Sequence, residues 1–82
     1  MVDRQVKVNL RMGLHAREAV LFVKQATQFK SDIFVEKGGK TVNAKSIMGL
    51  MSQVISNGSV ITIRANGSDA ERAVETLVGM VS

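Results

Sequence analysis

Apolar and polar residues alternate through Val6, Lys7, Val8, Asn9, Leu10 and Arg11, and this two-residue period predicts a half-buried β-strand. Met12-Gly13-Leu14 breaks it. From Ala16 the period lengthens. Ala16, Ala19, Val20, Val23, Ala26 and Thr27 fall on one face of a helix, with Leu21 and Phe22 beside that face. Asp32 to Lys37 predicts a second strand, with Ile33 and Val35 on one side. Gly38-Gly39 then signals a two-residue hairpin, and Lys40 to Asn43 returns as a short third strand. Ser46 precedes a short apolar helix carrying Ile47, Met48, Leu50 and Met51, and its hydroxyl is placed to cap it. Ser56-Asn57-Gly58 predicts a turn. Val60 to Ala65 predicts the last strand, with Ile61, Ile63 and Ala65 on one face. The final helix opens on Ser68-Asp69-Ala70-Glu71, the spacing of a capping box. Ala70, Ala73, Val74, Leu77 and Val81 form its buried stripe.

The order is therefore β-α-β-β-α-β-α, and residues 1–82 show no linker, repeat or low-complexity stretch. One α+β domain is expected, with an antiparallel sheet covered by helices on one face, because that arrangement buries all of these stripes. Such a fold hosts many functions and selects none.

Composition removes several classes. With no cysteine and one histidine, the chain has neither disulfides nor a ligand set for structural zinc. No apolar window is long enough to span a membrane and no signal-peptide pattern opens the chain, so a cytoplasmic location is expected. Three phenylalanines without tyrosine or tryptophan, and no RNP-like strand, argue against a nucleic-acid-binding domain. No paired carboxylates, metal cluster or cofactor motif supports an autonomous enzyme. The net charge of +4 favours an acidic or phosphate-bearing partner, although solubility alone also asks for net charge.

The informative segment is Gly13-Leu14-His15-Ala16-Arg17-Glu18-Ala19. A strand ends, Gly13 permits an unusual turn, and a helix begins near His15. The free N–H groups of Ala16 and Arg17 then point toward the imidazole, and a helix N-terminus favours anions. Arg17 adds a forked donor suited to phosphate oxygens. A neutral imidazole placed there can act as a nucleophile toward a phosphoryl group. Taken as a lone histidine, His15 reads first as a plain surface cap, and its spacing to Gly13 and Arg17 weakens that reading without removing it.

Gly13-Leu14-His15-Ala16-Arg17 resembles the active-site signature of HPr, the histidine-containing phosphocarrier family. Lys45-Ser46-Ile47-Met48-Gly49-Leu50-Met51-Ser52 resembles that family's regulatory serine motif in Gram-positive bacteria, and the likeness includes Gly39-Lys40-Thr41-Val42-Asn43. The resemblance implies an open-faced β-sandwich with sheet order 1-4-2-3 and three helices on one face. It implies phosphorylation of His15 at Nδ1 by enzyme I, which uses phosphoenolpyruvate, and transfer to enzyme IIA domains. It also implies phosphorylation of Ser46 by HPr kinase/phosphorylase, the product binding catabolite control protein A. A cap hydroxyl suits that role, since an added dianion meets the helix dipole. Leu14, Ala16, Val20, Lys24, Lys45, Ile47, Met48 and Met51 are then expected on the partner-binding surface. Ordinary helix core is the competing reading of Ile47, Met48 and Met51.

Two features depart from the family pattern. Glu18 stands where HPr proteins usually have proline; it suits a helix start and could complete a capping-box-like arrangement with His15, yet it puts a carboxylate near the phosphate. The segments Leu21-Phe22-Val23, Asp32 to Lys37 and Asn43 to Ser52 also resemble the Crh branch, regulatory homologues that lack the active histidine. The alternative is thus a Crh-like regulator working mainly through phospho-Ser46.

Overall fold

The computed structural model describes residues 1–82. The strands are β1 (Val2–Lys7), β2 (Asp32–Lys37), β3 (Lys40–Asn43) and β4 (Val60–Asn66); the helices are α1 (Ala16–Ala26), α2 (Ile47–Met51) and α3 (Ala70–Val81). The four strands form one antiparallel sheet in the order β1-β4-β2-β3. Ile33, Val35, Ile61, Ile63 and Ala65 point to the helix side and are buried. Opposite them Phe22, Leu50, Val74, Leu77 and Val81 close the core. Burial of such a side chain contributes about 1.5–3 kcal/mol. The other face of the sheet is open. There Arg64 pairs with Glu36 at 3.1 Å and Asp3 at 3.7 Å, surface contacts of modest value.

The predicted element order and sheet order are found, with three local differences. The first strand is Val2–Lys7 rather than Val6 to Arg11. Its ladder with β4 runs from Val2 opposite Ala65 to Lys7 opposite Val60. Beyond it the Asn9 N–H turns to the Val81 carbonyl at the end of α3 (2.6 Å). Val8 and Leu10 keep the apolar period because they pack on the core after the ladder has ended. Being an edge strand, β1 tolerates polar residues that hid it in the sequence.

The second difference is the rotation of α1. Its buried face is Ala19, Phe22, Val23 and Ala26, whereas Val20 and Leu21 are exposed. Both faces satisfy the helical period; burying Phe22 removes more apolar surface from water. The third is the start of α3. Asp69, not Ser68, is the N-cap residue, and its side chain makes no cap bond. The carboxylate instead accepts from the Lys30 N–H (2.9 Å), the Ser31 N–H (3.0 Å) and the Ser31 hydroxyl. Gly67 makes room for this, since a Cβ there would lie 2.5 Å from the Ser31 Oγ.

A second close approach positions the segment ahead of α1. Gly13 has φ +73°, and a Cβ on it would lie 2.4 Å from the Ile55 carbonyl oxygen and 2.9 Å from the Ser56 Cα. The next residue bonds across the same contact, the Leu14 N–H donating to the Ile55 carbonyl at 2.8 Å.

Two expectations follow. Gly13→Ala combines a left-handed backbone with a clash against main chain and should cost about 2–4 kcal/mol in denaturant unfolding; a loss under about 0.5 kcal/mol would contradict the described packing. The Ser31 hydroxyl, then the Lys30 N–H, hold the Asp69 carboxyl down at about 2 from an ordinary 3.8. Because the folded value is the lower one, this stabilisation is present above the ordinary value and is lost as pH falls toward about 2. Asp69→Asn should therefore lower Tm at neutral pH, with the gap to wild type closing between about pH 4 and pH 2. A gap of constant size across that window would count against this role for the carboxylate.

Candidate functional site

His15 is the N-cap residue of α1, with extended backbone (φ −82°, ψ −179°) and no cap bond from its side chain. Its carbonyl accepts the first helical bond, from the Ala19 N–H at 2.7 Å. The N–H groups of Ala16, Arg17 and Glu18 have no acceptor in the chain, as helix geometry requires of the first turn. The imidazole is exposed and borders a depression of about 390 Å³ lined by Met12, Leu14, Ala16, Met51, Gln53, Val54, Ile55 and Ser56. An exposed ring beside unpaired backbone donors can receive an anionic group and hold it covalently.

Half of this depression was not foreseen. Gln53, Val54, Ile55 and Ser56 belong to the segment between α2 and β4, far from His15 in sequence. No local spacing marks them; the turn at Ser56-Asn57-Gly58 is the sole signal that the chain reverses there.

Arg17 is exposed, makes no hydrogen bond or ion pair, and does not line the depression. Its guanidinium is free to reach an anion at the helix start. Glu18 lies elsewhere. It is half-buried on a groove of about 210 Å³ between α1 and α3, with Leu10, Leu14, Leu21, Phe22, Met80 and Val81. It lines that groove and not the His15 depression, and it pairs with neither Arg17 nor the His15 N–H. The expected capping-box-like arrangement is therefore absent. The rest of that groove is apolar, a wall against which glutamate methylenes can pack.

Ser46 caps α2, its hydroxyl accepting from the Gly49 N–H at 3.0 Å. The approach is shaped by Asn43, whose side chain accepts from the Lys45 N–H at 2.8 Å and whose carbonyl accepts from the Ser46 N–H at 3.1 Å. A five-residue helix is unstable alone. It is held by the burial of Leu50 and by packing against α1. Ile47, Met48 and Met51 point outward, Met48 being 84% exposed, so they are not core. Met51 reaches the rim of the His15 depression and links the two serine and histidine regions on one side of the molecule.

The remaining residues expected on the partner surface divide. Ala16, Val20 and Lys24 are exposed on α1. Leu14 is buried and belongs to the core, touching the depression only as part of its wall. Lys45 is half-buried, and its ammonium donates to the Phe29 carbonyl at 2.8 Å. That bond ties α2 to the segment after α1, so the charge is held in place rather than free to swing.

Known proteins are similar to this chain in sequence and fold. A family model described as "PTS HPr component phosphorylation site" matches residues 2–82. The HPr-like protein Crh of Halalkalibacterium halodurans is 54% identical over 99% of this chain and 96% of its own length. Phosphocarrier protein HPr of Haemophilus influenzae is 41% identical over 99% and 95% respectively. The crystal structure of a phosphocarrier protein HPr from Bacillus anthracis superposes with a TM-score of 0.97 and 58% identity, covering 99% of this chain and 96% of the other. The chain belongs to the HPr family, which holds both phosphocarriers named HPr and the HPr-like proteins named Crh.

Proposed function

We propose that this chain is a phosphocarrier of the phosphoenolpyruvate-dependent sugar phosphotransferase system, with His15 as the acceptor. The observation that carries the reading is an exposed imidazole at the cap of α1, beside three backbone N–H groups without acceptors. A lone pair on the neutral ring forms a bond to phosphorus as the bond to the leaving group on enzyme I breaks. The phosphoryl oxygens then meet the N–H groups of Ala16 and Arg17 and the guanidinium of Arg17. Transfer to an enzyme IIA domain is the same step in reverse polarity, with His15 as the leaving group. The protein lends a held nucleophile and an anion site; its partners supply the rest of the catalysis.

Ser46 is the proposed regulatory site, modified by HPr kinase/phosphorylase to give a form that binds catabolite control protein A. Exposed Ile47, Met48 and Met51 beside it suit an apolar docking patch, since flexible methionines adapt to several partners. Crh relatives support a second reading, in which phospho-Ser46 is the main working form. The presence of His15 favours the carrier.

His15→Ala should abolish acid-labile labelling from phosphoenolpyruvate and enzyme I while leaving kinase labelling at Ser46 intact. Full labelling of that variant removes His15 from the reaction, and negligible labelling of wild type favours the regulatory reading. Phosphorylation of Ser46 adds about two negative charges to the side from which enzyme I delivers another anion. Transfer to His15 should slow, and the slowing should lessen with added salt. Equal transfer rates with and without phospho-Ser46 would refute the coupling.

A further inference from the structure

The β2–β3 hairpin carries neither phosphorylation site and does not line the His15 depression. It nevertheless holds the segment that does. Gln53 is buried, and its carboxamide donates to the Val35 carbonyl at 3.2 Å and the Lys40 carbonyl at 3.0 Å. These acceptors lie on both strands of the hairpin. The Lys37 ammonium donates to the Val54 carbonyl, and the Lys40 ammonium makes longer contacts with Ser52 at 3.4 and 3.5 Å. The next residue along, Ile55, accepts from the Leu14 N–H and lies against Gly13. The support thus runs from the hairpin, through Gln53, to the backbone that immediately precedes His15.

We propose that Gln53 is a positioning residue for the phosphoryl acceptor, fixing residues 52–56 so that the turn at Gly13 and Leu14 presents the His15 ring at the start of α1. This rests on the phosphocarrier reading of His15 and adds a residue to it. Gln53 does not touch the reacting atoms; it acts through Ile55 and Leu14. Its position is polar for this reason: an aliphatic side chain of equal volume would fill the space but remove both bonds that tie the segment to the hairpin, leaving it free to shift. A nucleophile misplaced by a fraction of an ångström loses much of the advantage of being held in place.

The test compares wild type, Gln53→Met and Ser31→Ala. Gln53→Met keeps volume and removes both donors. Ser31→Ala loosens the clamp with Asp69, remote from the depression, and serves as the control for general destabilisation. Two measurements are made well below the unfolding transition. In the first, hydrogen exchange of the unphosphorylated protein, Leu14 amide protection should fall about 10-fold or more in Gln53→Met and stay unchanged in Ser31→Ala. In the second, with enzyme I and phosphoenolpyruvate, Gln53→Met should lower kcat for His15 labelling about 10-fold at nearly unchanged KM, because docking is kept and acceptor geometry is lost. Unchanged Leu14 protection overturns the inference whatever the transfer assay gives. Equal kcat for wild type and Gln53→Met, or an equal loss in Ser31→Ala, also overturns it. An unlabelled wild type refutes the phosphocarrier reading instead, and with it the role assigned to Gln53.

Discussion

Between β1 and α1 the backbone passes so near the segment entering β4 that a methyl group on Gly13 would penetrate the Ile55 carbonyl. Only glycine, in a left-handed conformation, permits that contact. The Leu14 N–H···O bond to Ile55 then sets the direction in which the chain leaves the turn. The cap geometry of His15, the unpaired first-turn N–H groups and the depression beside them all descend from this contact. Loosening it leaves the sheet and the helices able to form while scattering the site built between them.

The segment that follows α1 is tied down as well. Lys45 reaches the Phe29 carbonyl, and the Asp69 carboxylate gathers Lys30 and Ser31. The clamp at Asp69 is electrostatic and directional, whereas the middle of the helix is held by Ala19, Phe22 and Val23 in the core. A helix fixed at both ends offers a rigid outer face. Its exposed Val20 and Lys24 lie on that face, and the more adaptable methionines are on the shorter α2. Rigidity at the histidine and adaptability around the serine are therefore assigned to different elements.

Much of the fold was legible because its signals are local. The hairpin glycines, the cap at Ser46, the inward rows of β2 and β4 and the apolar stripe of α3 each follow from a few neighbouring residues. What escaped was non-local. The boundaries of β1 depend on where α3 ends, and the rotation of α1 depends on which side chain the sheet can bury. Ser68 and Glu71 have capping-box spacing, but the competing bonds of Asp69 to Lys30 and Ser31 win. His15, Arg17 and Ser46 could be singled out by motif and by helix-start chemistry. The depression beside His15 could not, because Gln53 and Ile55 acquire their roles only when residues 12–16 arrive against them.

That arrival imposes an order on synthesis. A nascent chain ending after Ser46 and Leu50 already carries both hydroxyl and imidazole, yet it lacks one wall of the depression and the central strand β4 that pairs with β1 and β2. Contacts this distant in sequence form late, after the closure entropy of a long loop has been overcome. Both candidate phosphorylation sites thus leave the ribosome before the surface beside them, and the depression at His15 is completed only as the last strand inserts between its neighbours. Maturation of the site is coupled to completion of the sheet.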